Sequence, residues 1–199
     1  QTALCILEKQ ELKNYSEIID TYNNIGNCYY SNGELYEAYN YHSEAKELSI
    51  VYLDGSNELK ADSYNNMGND LAAMEYYGEA LDCYKEAELI YEELFDSKHP
   101  YIATVNSNMG VVYSYVDDFD NALKCYETAL NYDPENAASF QLYLSLGSLY
   151  IELGKPISAI EYLETAQAMY PQMADIYAYL AIAYKMAFEY EKSEEALAM

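Results

Sequence analysis

Large apolar residues recur along this chain in blocks of one spacing. They fall at Tyr22, Ile25 and Tyr29, at Tyr64, Met67 and Leu71, at Met109 and Tyr113, and at Tyr143, Leu146 and Tyr150. Steps of three and four put each set on one face of a helix. Each block holds a glycine, Gly26, Gly68, Gly110 or Gly147, and successive glycines lie 42, 42 and 37 residues apart. Twelve residues after each comes an alanine (Ala38, Ala80, Ala122, Ala159), and seven further on another (Ala45, Ala87, Ala129, Ala166). Self-similarity at this period predicts stacked helical hairpins, an array whose repeats each contact their neighbours.

The glycines sit in mid-helix, where each costs about 1 kcal/mol relative to alanine. Repeating that cost at one position implies close approach of a neighbouring helix, a packing role rather than a phosphate loop. The paired alanines let the second helix of each hairpin close on the first. Breaks within hairpins are expected at Ser31-Asn32-Gly33, Val116-Asp117-Asp118 and Glu152-Leu153-Gly154. Breaks between hairpins are expected at Asp54-Gly55-Ser56-Asn57, Ser97-Lys98-His99-Pro100, Asp133-Pro134 and Tyr170-Pro171.

The fourth copy reads Tyr143, Leu146, Gly147, Tyr150, Ala159, Leu163, Ala166 and Pro171, and the third ends Ala122, Tyr126, Ala129 and Pro134. This pattern resembles the tetratricopeptide repeat, over nearly the whole chain. The resemblance implies an all-α, right-handed α-α superhelix. The longer early intervals, with Lys98-His99-Pro100-Tyr101, resemble the kinesin light chain type. The expected organisation is the second helix of a preceding repeat over 1–18, repeats over 19–60, 61–102, 103–139 and 140–173, and a truncated repeat over 174–199. The chain opens on Gln1 rather than Met, which reads as a segment of a longer protein.

Charge narrows the partners. With 34 acidic and 10 basic residues the net charge is −24, so nucleic acid and anionic lipid are disfavoured as ligands. No apolar run approaches the ~20 residues that span a bilayer. Cys5, Cys28, Cys83 and Cys125 are scattered and match no metal-ligand spacing. They read as small buried hydrophobes in a reducing compartment, hence a cytoplasmic chain. Neither His42 nor His99 has a partner arrangement in the sequence, and His42 stands where Tyr84 and Tyr126 stand, as a packing residue. With no catalytic set, no metal pattern and no cofactor motif, the expectation is a protein that is not an enzyme.

The first helices of stacked hairpins line an inner, concave wall, and their outward positions are the candidate site. These are Asp20, Asn23, Asn24, Asn27 and Tyr30 in the first copy. The second offers Asp62, Asn65, Asn66 and Asn69, and the third Thr104, Ser107, Asn108 and Tyr115. Asn24, Asn66 and Asn108 each precede a glycine by two residues, so stacking predicts a ladder of carboxamides. A carboxamide both donates and accepts, and can pair with the backbone of an extended peptide; asparagines here also resemble the peptide-holding members of the family. No Lys or Arg lies among these positions to grip a carboxylate, whereas Asp20 and Asp62 favour a basic segment. Tyr30 and Tyr115 lie off the core positions and are candidates to stack on a ligand. The Tyr22, Tyr29, Tyr64, Tyr113, Tyr143, Tyr150, Tyr177 and Tyr184 set is assigned to the core. The primary reading is a protein- or peptide-binding scaffold for a basic or neutral extended segment. The alternative is a regulatory or sensor segment of a larger signalling protein, acting by self-association or intramolecular contact.

Overall fold

The computed structural model describes residues 2–95, 99–132 and 139–198. Helices follow one another in pairs: α1 (Thr2–Ser31) and α2 (Leu35–Tyr52), α3 (Glu58–Ala73) and α4 (Tyr77–Leu94), α5 (Pro100–Tyr115) and α6 (Phe119–Tyr132). They continue with α7 (Ser139–Glu152) and α8 (Pro156–Met169), then α9 (Ala174–Met186) and α10 (Tyr190–Leu197). No strand occurs among the described residues. The helices group into two compact units, 1–112 and 113–199, divided within α5. In the first, α1 packs on α2, α3 on α4, and both α1 and α2 on α3. In the second, α7 packs on α8 and α9 on α10, with α6 against α7 and α8 against α9.

The repeated small residues do what their spacing predicts. Every alanine of the two series is buried, from Ala38 to Ala166. The repeat glycines Gly26, Gly68 and Gly147 each face the residue sixteen positions on. A Cβ on Gly26, Gly68 or Gly147 would lie 2.3 Å from His42, 2.7 Å from Tyr84 or 2.4 Å from Leu163. Seven residues past each glycine-equivalent position the hairpin turns through a left-handed residue: Gly33, Glu75, Asp117, Gly154 and Phe188 all have positive φ.

The helix pairs begin at 58, 100, 139 and 174, whereas the expected repeats began at 61, 103, 140 and 174. Local caps set the true starts. Asn57 caps α3 by accepting from the Leu59 amide, and Pro100 supplies a first residue that needs no partner for its nitrogen. The expected division at residue 18 falls inside α1, which runs unbroken for 30 residues. Between Lys9 and Ile18 there is no glycine or proline to end it, unlike the junctions at Gly55, Pro100 and Pro171. The turns expected at Ser97-Lys98 and Asp133-Pro134 lie outside the described residues.

Most tyrosines assigned to the core are half-buried; only Tyr177 and Tyr184 of that set are buried, while Tyr84, Tyr91 and Tyr126 are buried more deeply. The half-buried ones form aromatic clamps. Tyr22 and Tyr29 flank Tyr41 at 5.9 and 5.5 Å between ring centroids, and Tyr143 and Tyr150 flank Tyr162 at 6.2 and 5.4 Å. Cys83 and Cys125 occupy the corresponding position in the middle copies. Cys83 is half-buried and Cys125 buried, but Cys28 is exposed, which corrects the expectation that the cysteines are interior. The position of Cys28 is covered in the next repeat by the preceding hairpin, whose His42 meets Asp70; α1 runs unbroken, with no helix pair ahead of it to cover Cys28. The Cys5 side chain lies outside those described.

Candidate functional site

On the first-helix side of the first unit, carboxamides meet across helices. Both amide hydrogens of Asn108 on α5 are used, one donated to Asn65 Oδ1 at 3.2 Å and one to Asn69 Oδ1 at 3.1 Å, both on α3. Asn69 Oδ1 also accepts from the Tyr84 hydroxyl at 2.8 Å, which ties the network to the core of the α3–α4 hairpin. The Asn108 carbonyl oxygen and the Asn65 and Asn69 amide groups remain for other partners. Asn24 and Asn27 on α1 are exposed, and Asn66 on α3 is half-buried.

The register differs from the expected ladder. Asn108 joins Asn65 and Asn69, not Asn66, because residues one turn apart on α3 straddle the α5 position facing them. Asn23 departs further: it is buried, 4% exposed, and donates to Ser63 Oγ at 3.0 Å between α1 and α3. It belongs to the helix interface and not to a binding wall. Asp62 accepts from the buried Tyr91 hydroxyl. Burial raises its carboxyl above the ordinary value, a rise that the Tyr91 bond opposes and that the nearby Glu58 and Asp20 charges reinforce. Asp62 is thus a partly committed group, while Asp20 is exposed. Tyr30 is 39% exposed. Tyr115 is exposed and lies in the second unit.

Two features escaped the sequence reading. His42 does have a partner: its Nδ1 lies 2.6 Å from Asp70 Oδ2, both side chains being buried. Asn106, at a position held by tyrosine in other copies, is buried and donates to the Ile102 carbonyl at 3.0 Å and to Glu88. His99 stacks on Phe95 at 3.8 Å between ring centroids. Among the described residues no group of His, Cys, Asp and Glu could hold a metal ion. No helix described is long and apolar enough to cross a membrane.

The hairpin pairs, the glycine contacts and the buried alanines agree with a match of the sequence to the tetratricopeptide repeat family over residues 17–93, 59–135 and 101–172. The chain belongs to the tetratricopeptide repeat family. No curated protein sequence matches it significantly. Solved structures share the fold at low identity. TPR-like repeats of a kinesin light chain-like protein from Podosopora anserina superpose with a TM-score of 0.79 at 18% identity, covering 90% of this chain and 92% of that one. BtubC from P. vanneervenii gives 0.78 at 16% identity, covering 96% and 88%. PilF of Pseudomonas aeruginosa gives 0.75 at 20%, covering 92% and 75%. These likenesses establish the solenoid fold, and the family match marks it as one that generally serves as a scaffold for protein interaction. They assign no ligand to this tetratricopeptide wall.

Proposed function

We propose that this chain is a scaffold that holds an extended protein segment along the first-helix wall of its first unit. Asn24 and Asn27 on α1, Asn65, Asn66 and Asn69 on α3, and Asn108 on α5 are the groups that contact it. The observation that carries the reading is the Asn108–Asn65–Asn69 network. Its members are oriented by one another and by Tyr84, so less side-chain freedom is lost when a peptide backbone takes up their remaining donors and acceptors. The Asn108 carbonyl oxygen would accept from a peptide N–H, and the Asn65 and Asn69 amides would donate to peptide carbonyls. Such bonds read the backbone and leave side-chain choice open.

Charge orders the choice of partner. A net charge of −24 favours segments that are basic or neutral over acidic ones, and nucleic acid and anionic membranes stay disfavoured. Exposed Asp20 beside the wall adds a local preference for Lys or Arg, with about 0–1 kcal/mol expected from such a surface pair. Tyr30 supplies an exposed ring on the same helix as Asn24 and Asn27. The role is recruitment without chemistry on the bound segment, in a cytoplasmic setting.

The test is selection of a random-sequence peptide display library on the chain, followed by titration of enriched peptides against an Asn24→Ala, Asn66→Ala, Asn108→Ala variant. Enriched peptides should be basic or neutral. Three lost bonds at about 1 kcal/mol each predict a loss of roughly 10- to 150-fold in affinity. Enrichment that survives the triple substitution unchanged, or no enrichment, would overturn the proposal.

A further inference from the structure

The interface between the first and second hairpins is polar where the same positions are apolar elsewhere. Ser63 and Asp70 of α3 are both buried; Val105 and Val112 hold these positions in the third copy, and Leu142 and Leu149 in the fourth, all buried. His42 of α2 likewise stands where Tyr84 and Leu163 stand, and its ring packs against Gly26. The chain thus replaces an apolar contact, once, by a histidine and a carboxylate. Isolated within the core, such a pair costs more than the hydrophobic residues it displaces.

Its proton count follows from its two contacts. His42 Nε2 lies 3.2 Å from the backbone carbonyl of Asn23, which can only accept, so this contact is a hydrogen bond when Nε2 carries a proton. The 2.6 Å contact between Nδ1 and Asp70 Oδ2 holds a second proton between the two atoms. On whichever atom it sits, the pair has no net charge. Losing that proton would leave a negative charge buried among α1, α2 and α3. Surroundings to absorb it are poor, for Asp70 Oδ1 and Asn23 Oδ1 are already buried without a hydrogen-bond partner. Besides His42, Tyr84 on α4 is a titratable side chain that feels Asp70, and it also feels Tyr30 of α1 and its neighbour Cys83. Burial pushes the Tyr84 hydroxyl well above its ordinary value and the Cys83 thiol up to about 11 against the opposing charge of Lys46 on α2, so both stay protonated through the neutral range.

We propose that the His42–Asp70 pair is a proton-dependent latch that fastens the first hairpin, α1 and α2, to α3 and loosens as pH rises. This inference is independent of what the asparagine wall binds. In the unfolded chain the two groups separate, and above ~6.5 an unfolded histidine is neutral while the aspartate is charged. The folded pair then holds one proton more than the unfolded pair. Stability falls with rising pH wherever the folded state holds the extra proton, by about tenfold in the folded-to-unfolded ratio per pH unit. The Asp70 carboxyl has the same sign: burial raises it above the ordinary carboxylate range, against the His42 bond, and a group raised by folding loses its contribution as pH increases.

Amide hydrogen exchange from pH 6 to pH 9, corrected for intrinsic exchange, tests this on the whole chain. The opening constant of α1 and α2 should rise by up to about tenfold per pH unit above ~6.5 while amides of α7 to α9 stay level. A His42→Tyr, Asp70→Val variant, carrying the residues that the next copies use at Tyr84 and Val112, should remove that slope. An equal slope in the variant, or one shared by α7 to α9, would overturn the latch. Should the variant fail to fold, nitrogen NMR of the wild-type imidazole decides. Protons on Nε2 and in the Nδ1–Oδ2 bond at pH 7.5 support the latch, and a ring with a bare, unbonded nitrogen defeats it.

Discussion

Gly68 sets the spacing of two helices by what it lacks. A Cβ there would meet the Tyr84 ring at 2.7 Å, and Tyr84 is buried with its hydroxyl bonded to Asn69. Gly68→Ala should therefore lower stability by about 1–3 kcal/mol despite alanine's better helix propensity, as thermal melting would register. An unchanged or raised Tm would mean that α3 and α4 are not held at this distance. Tyr91 and Asp62 offer a second case at this scale. Burial raises the Asp62 carboxyl and the Tyr91 hydroxyl opposes that rise, so Tyr91→Phe leaves a half-buried carboxylate with one donor fewer. A raised carboxyl contributes stability at low pH and loses it as pH rises. The substitution should thus cost about 1–2 kcal/mol at pH 7 and less near pH 4. Equal losses by urea denaturation at the two pH values would count against this assignment.

Within each hairpin the turn geometry recurs while the residue in it does not. Gly33 and Gly154 fill the left-handed position in two copies, but Glu75, Asp117 and Phe188 adopt the same positive φ with a side chain. For a non-glycine residue this conformation costs about 1–2 kcal/mol. Glu75→Gly should relieve most of it and, after the greater entropy of the unfolded glycine is deducted, stabilise the chain by roughly 0.5–1 kcal/mol. Gly33→Ala should do the reverse. Nothing is packed within 4 Å of where the new Cβ would lie, so any loss there reports backbone strain alone. If both substitutions leave the denaturation midpoint in place, the turns are set by contacts beyond the backbone.

Across the whole molecule the dominant electrostatic fact is self-repulsion. Thirty-four acidic residues face ten basic ones, and exposed pairs such as Lys192–Glu189 at 2.6 Å relieve little of it. Raising sodium chloride from 20 to 300 mM should therefore raise Tm, by roughly 2–4 °C per kcal/mol of repulsion screened. A fall in Tm over that range would indicate that attractive pairs outweigh the net charge. Each unit can be followed separately by hydrogen exchange, since the first carries the His42–Asp70 pair and the second a core of aliphatic residues around Leu163 and Leu180.

The fold was legible in the sequence because a repeat writes the same physics several times. Four glycines and eight alanines at fixed offsets predict the hairpins and the close-packed faces, and with residues such as Tyr143, Tyr150 and Pro171 they carry the resemblance to the family. Single events were harder to read. The unbroken α1 depended on what its residues 9–18 lack, and the burial of Asn23 on a serine forty residues away. Asparagines could be placed on the first-helix side by spacing, but spacing could not tell which of Asn65, Asn66 and Asn69 would meet Asn108. That is decided by how far α5 is displaced along α3, a fraction of a turn that side-chain packing sets. His42 and Asp70, twenty-eight residues apart, meet only in the folded chain. Local periodicity determines which face of each helix is buried; only the tertiary structure decides which polar groups find one another there, because their bonds join residues that no periodicity relates.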